Sequence, residues 1–217
     1  MEMGKFPFGA AVKFGWQKIK ENFWPLIAVT LIWIVINTVF NSSAEKFEKS
    51  MPAVYFAIKL CESLISMLIT LGMIRIGLKV YAGEKFEIAE MFYCRGEQFL
   101  NYIIATILYL LAVLAGLILL IVPGIILIIR MGLYGYLIVD KKMGIIDSLK
   151  ESMRLTKGNA FNLFLFWLLL VGVLLLGFLA LIVGIIVAVP VTLLAYVFVY
   201  RYLEGKNKPV ESSPQVP

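Results

Sequence analysis

From Gly158 to Tyr200 the chain runs for 43 residues without a charged side chain. As a helix rising about 1.5 Å per residue the tract would be about 65 Å long, twice the roughly 30 Å hydrocarbon core of a bilayer. No straight membrane helix matches that length, so the tract has to fold back on itself. Its turn is expected between Gly177 and Gly184, with Pro190 kinking the returning helix. A second tract, Gln98 to Val139, is broken only by Arg130. Its turn is expected at Pro123-Gly124, a strong punctuation signal. The chain is 61% hydrophobic and 16% charged, against about 45–50% and about 25% in an ordinary soluble domain. The solvent for much of it is lipid.

The first third supplies two further crossings. Trp24 to Phe40 is uncharged and long enough for one short span. Ala53 to Gly83 reads as a long helix with a charge-free centre from Ser63 to Ile74, bounded by Glu62 and Arg75. Apolar positions run all round that centre, as burial or lipid requires. The fold expected is an all-α membrane protein of six transmembrane helices arranged as three hairpins. The spans are placed at about 24–41, 54–82, 98–122, 124–140, 160–179 and 183–203 of a single domain 1–204, followed by a disordered tail over 205–217. Sixteen of the 20 Lys and Arg residues then fall on one side of the membrane. The positive-inside rule places that side, with both termini, in the cytoplasm.

The basic side is patterned. Phe8, Val12, Trp16, Ile19 and Phe23 recur at three- and four-residue steps ahead of the first span. Phe86, Ala89 and Phe92 do so ahead of the third. Ile145, Ile146, Leu149 and Met153 form a stripe ahead of the fifth, with Asp147, Lys150, Glu151 and Arg154 facing away. These read as cytoplasmic amphipathic helices at about 8–23, 86–95 and 144–157, lying at headgroup level. Each hairpin is thus expected to follow one amphipathic helix.

Several stretches carry a resemblance: GWQKIKENF near the start, LGMIRIGLKVYAGEKFEIAEMF after the second span, IVPGIILIIRMGLYGYLIVD, SLKESMRLTKGNAF, and VPVTLLAYVFVYRYL at the end. The chain resembles bacterial and archaeal integral membrane proteins related to the membrane domain of glycerophosphodiester phosphodiesterases. The likeness extends to about Leu203. It implies a stand-alone membrane domain in a prokaryotic plasma (inner) membrane. It carries over no catalytic residue, because the phosphodiesterase activity of such fusions lies in a separate soluble barrel.

The residues themselves exclude much chemistry. There is no histidine, which removes imidazole ligation and the usual general base. Cys61 and Cys94 have no C-x-x-C spacing, so neither a zinc site nor a disulfide framework is indicated. No cofactor, metal, catalytic residue or nucleic-acid partner is expected, and the protein is not expected to be an enzyme. Ionisable groups inside a membrane are costly and point to function or pairing. Lys59, Glu62 and Arg130, counted from the expected turns, fall at comparable depth. They form either an ion-handling cluster, as in a small transporter or channel, or a Glu62–Arg130 pair that fixes packing.

The third, fifth and sixth spans carry almost no polar side chains to line an aqueous path, and the second and fourth alone supply too few to hydrate a pore. The expected role is therefore binding: of anionic lipid headgroups, or of a protein partner or second copy, through the basic face. Lys13, Lys18, Lys20, Arg95, Lys150, Arg154 and Lys157 are the headgroup candidates. Cysteine-accessibility labelling checks the topology. Cysteines placed at Ser43 and Ser212 are expected to react from opposite sides of the membrane, and reaction from one side refutes the assignment.

Overall fold

The structure is a computed structural model that describes residues 7–179 and 181–207. Among the described residues it is helical, without strands. The order is α1 (Phe8–Glu21), α2 (Phe23–Glu45), α3 (Pro52–Ala82), a 3-10 turn (Ile88–Met91), α4 (Gly96–Leu119), α5 (Ile121–Met131), α6 (Tyr134–Lys141), α7 (Ile145–Leu155), α8 (Ala160–Leu179) and α9 (Leu181–Asn207). Six stretches are long and apolar enough to cross a membrane: α2, α3, α4, Ile121–Lys141 through α5 and α6, α8, and α9 from Gly184 to Lys206. The helix continues through Gly205 to Asn207; the rest of the expected tail, with Ser212, lies outside the described residues.

Each long helix lies against its chain neighbour, α2 on α3, α4 on α5 and α8 on α9. Small residues permit this. A Cβ on Gly177 would stand 2.8 Å from the Gly184 carbonyl and 2.8 Å from the Ala188 Cβ. The α4–α5 turn falls at Leu120, in an extended conformation, rather than at Pro123-Gly124. Pro123 sits in the first turn of α5, where its missing N–H costs nothing. Gly124 is needed not for a turn but for proximity, since a Cβ there would meet the Leu117 side chain at 2.5 Å.

Burial concentrates at one end. Ile69, Leu71, Ile76 and Val80 of α3 and Leu194, Val197, Val199 and Leu203 of α9 are almost fully enclosed. At the opposite, loop end Ile118 is 85% and Leu179 76% exposed, an apolar surface that only lipid can wet favourably. The connecting segments close the first end by packing into it.

α1 lies along α9 through only part of the expected stripe, with Ile19 buried and Phe8 and Val12 packed on the core. Its buried residues are Ala11, Gly15 and Ile19, while Trp16 is 49% exposed and Phe23 faces out as well. The reason is distance: a Cβ on Gly15 would sit 2.6 Å from the Val191 carbonyl oxygen, so the two backbones touch. Only small residues fit such a seam. Phe14 adds ring contacts to Tyr81 and Phe198, at 5.3 and 5.4 Å.

The expected helix over 86–95 reduces to the single 3-10 turn, because this segment is tied to α3 rather than free to wind. α3 ends at Gly83 with φ 75°, and the Glu84 N–H reaches back to the Lys79 carbonyl at 2.9 Å, a Schellman ending. Glu87 and Glu90 cap the turn reciprocally. Lys79 and Glu90 pair at 2.7 Å, and the donated hydrogen bond holds the Glu90 carboxyl below the usual carboxylate range. Arg75 donates to the Tyr93 carbonyl and to Gln98 Oε1. Met91 is thereby pressed on Gly72, where an added Cβ would lie 2.1 Å from its carbonyl oxygen.

Gly72→Leu is therefore expected to expel the turn from α3. Stability should fall by about 1–3 kcal/mol, the usual cost of overpacking. Trypsin cleavage of the folded protein at Lys85 and Arg95 should rise, and unchanged digestion would refute the contact.

Candidate functional site

The first charged cluster is built across α2 and α3. Lys59 donates to Glu62 at 2.8 Å and also to the Asn41 side-chain oxygen. The Asn41 amide donates to Glu62 at 3.0 Å, closing the triangle. One helical turn further in, Ser66 donates to Asn37 at 3.2 Å, and Thr70 donates to the Ser66 carbonyl at 2.8 Å. This is a polar ladder in which each group answers another. Asn37 and Asn41 join the cluster beyond the residues expected from sequence, and their i,i+4 spacing in an otherwise apolar span is the signal that marks them. Such groups in lipid more often bond adjacent helices than carry solutes.

Arg130 does not join this cluster. A Cβ on Gly135 would lie 3.3 Å from Ile74, which sets a common level for the two helices. From there Glu62 stands twelve residues up α3 and Arg130 five residues up α5, an offset of about 10 Å at 1.5 Å per residue. The expected Glu62–Arg130 pair fails because the α4–α5 turn at Leu120 draws Arg130 deeper than a turn at Gly124 would. Arg130 instead donates to the Met153 carbonyl of α7 at 3.0 Å, and its Nε is buried without a partner.

That contact belongs to a repair of the fourth span. The helix is interrupted at Gly132-Leu133, between α5 and α6. The Leu133 N–H donates to Ser152 Oγ at 3.1 Å. Ser152 Oγ donates in turn to the Arg130 carbonyl at 2.8 Å, and Thr156 Oγ1 reaches the same oxygen at 3.1 Å. Ser148, Ser152 and Thr156 are fully buried. The expected apolar stripe of α7 is thus only half the story: Leu149 is buried, Ile146 is 50% exposed, and the innermost face is hydroxyl-bearing. A hydrophobicity pattern does not register serine as a contact residue.

A second ionic cluster ties α6 to α9. Arg201 makes paired 2.8 Å hydrogen bonds to Asp140, Tyr200 donates to Asp140 at 2.8 Å, and Glu204 accepts from Arg201 at 2.9 Å and pairs with Lys141 at 3.1 Å. The arrangement is a satisfied clamp. Its sequence signal was Asp140 closing one uncharged tract and Arg201 closing the other.

The headgroup candidates lie in the segments that close the buried end. Lys13, Lys20, Arg95, Lys150, Arg154 and Lys157 are exposed and Lys18 partly so. Lys18 is paired with Glu21 and Arg154 with Glu151, both at 2.6 Å, which holds the Glu151 carboxyl below its usual range. Among the described residues the other five make no ion pair. Lys20 lies over the Trp16 ring at 5.6 Å, and Trp24 beyond it is 79% exposed. Cys61 and Cys94 are both free. No family model, curated protein or solved structure matches the chain.

Ser152→Ala is expected to destabilise the protein by about 1–3 kcal/mol, the cost of leaving the buried Leu133 N–H unpaired. Ser148→Ala, whose hydroxyl serves only the Ile145 carbonyl one turn away, should cost less. Equal unfolding midpoints for the two variants in one detergent would remove the bridging role.

Proposed function

We propose that the protein is a non-enzymatic, multi-pass membrane protein that binds anionic lipid headgroups through the basic face of its closed end. In this reading that end is cytoplasmic and carries both termini. The three chain-neighbour helix pairs are transmembrane hairpins, each entered through an interfacial segment: α1, the 84–95 segment with its 3-10 turn, and α7. The membrane is a prokaryotic plasma membrane, as the family resemblance implies.

One observation carries the proposal. Lys20 of α1 lies over the exposed Trp16 ring, the exposed Trp24 follows at the start of α2, and among the described residues neither Lys13 nor Lys20 makes an ion pair. Indole rings favour the interfacial zone, where one edge is apolar and the other wet. Lysines at that level meet the phosphate layer, and each gains about 1 kcal/mol near an anionic leaflet. Lys150, Lys157 and Arg95 add cationic groups at the same end. Lys59, Glu62 and Arg130 give no comparable support to transport, since the first two answer each other and Arg130 is engaged with α7.

The test is lipid retention by the purified protein in mixed phosphatidylglycerol and phosphatidylcholine micelles. Phosphatidylglycerol should be enriched around the protein. Each of Lys13→Gln, Lys20→Gln and Lys150→Gln should weaken its retention by about 1 kcal/mol, roughly fivefold. Equal retention of the two lipids defeats the proposal. So does ion or solute flux in liposomes that disappears with Glu62→Gln, which would favour a transporter instead.

A further inference from the structure

At the centre of the six spans is a chamber of about 480 Å³, within the range of small-molecule sites. Trp33 of α2, Thr70 of α3, Tyr136 of α6, Trp167 of α8, and Thr192 and Tyr196 of α9 contribute to its wall. We infer that this chamber binds one uncharged lipid, whose carbonyl accepts hydrogen bonds from Tyr136 and Tyr196 and whose chain leaves past Trp167 into the bilayer.

Charge comes first. None of the lining residues is ionisable as an acid or strong base near neutral pH. An ionised group placed there would lose its hydration and find no counter-charge, which excludes a fatty-acid anion or an ammonium head. The site does have unspent polar capacity. Tyr136 is 8% exposed, and its ring is stacked between Tyr196 at 5.6 Å and Tyr200 at 5.4 Å. The ring is thereby held, and the hydroxyl is the part left to act.

Among the described residues neither the Tyr136 nor the Tyr196 hydroxyl has a hydrogen-bond partner. Neither oxygen is among the atoms sealed in the packing, so both look onto open space. Buried hydroxyls in that state call for a partner from outside the chain. Thr70 and Thr192 already donate their protons to the Ser66 and Val189 carbonyls, each at 2.8 Å. What the wall offers is therefore phenolic donors, and what complements donors is an acceptor such as a carbonyl.

Apart from the Tyr102, Tyr109 and Tyr134 hydroxyls the remainder of the wall is apolar, and Trp167, which lines the chamber, is 49% exposed. That wall meets surrounding lipid, so a long chain can extend out of the chamber without crossing water. An ester carbonyl of a diacylglycerol and a ketone of a prenylated quinone share this chemistry.

Bromine and quinones both quench tryptophan, so Trp33 and Trp167 report occupancy directly once Trp16→Phe and Trp24→Phe silence the two rings outside the chamber. In phosphatidylcholine nanodiscs, dibromostearoyl diacylglycerol or a short-chain ubiquinone should quench saturably. Whichever saturates identifies the carbonyl source, and either supports the site. Dibromostearoyl phosphatidylglycerol, with the same chains and an anionic head, should show only the linear quenching of bulk collision. Tyr136→Phe with Tyr196→Phe should raise the half-saturation point about tenfold, the value of one to two hydrogen bonds. Because those hydroxyls have no partner among the described residues, the variant should keep its unfolding midpoint. Linear quenching by both uncharged probes, equal saturation by the anionic lipid, or an unshifted half-saturation point overturns the proposal. None of these results depends on retention of anionic lipid at the closed end.

Discussion

Hydrocarbon supplies no hydrogen bonds, so any backbone group a membrane helix leaves open has to be answered by another part of the same chain. The fourth span opens such groups at Gly132-Leu133, and the answer comes from Ser152 and Thr156 of α7. This one exchange accounts for the placement of α7, for the burial of its hydroxyl face, and for the engagement of Arg130 with α7. It also directs α6 toward α9, where Asp140 and Arg201 close the contact.

The same end is tightened by two backbone seams, Gly15 on Val191 and Gly72 on Met91. Both join a connecting segment to a span, and together with α7 they draw the three helix pairs into one core. Toward the loop end the close contacts thin to glycine and alanine pairs in α4–α5 and α8–α9, such as Gly116 with Gly124, and to the asparagine ladder in α2–α3. A bundle held at one end in this way leaves room between its pairs above the core. The central chamber is that room.

Helical class and the six long apolar stretches were legible in composition and in the uncharged tracts, because lipid solvation needs only length and the absence of charge. The close contacts were not. Reading α1 by its large apolar residues selects Trp16 and Phe23, whereas the seam with α9 uses Ala11 and Gly15, which contribute proximity rather than area. The same weighting hid Ser148 and Ser152 in α7. A Pro-Gly pair such as Pro123-Gly124 usually makes a turn; here proline fits a helix start and glycine a helix contact. Of the candidate site, Lys59 with Glu62 was legible from i,i+3 spacing. Arg130 was misplaced with the turn, and the tyrosine chamber depends on side chains of six helices that no local pattern brings together.

The repair at Gly132-Leu133 also has an order in time. Leu133 is made nineteen residues before Ser152 and twenty-three before Thr156, so during synthesis the fourth span reaches the membrane before its partners have emerged. Until α7 has left the ribosome, the Leu133 N–H and the Arg130 carbonyl rely on water or on the insertion machinery. The second helix pair is therefore committed to its final shape only when the segment leading into the third has been made. Insertion of this protein is in that sense sequential, with each later piece locking the one before it.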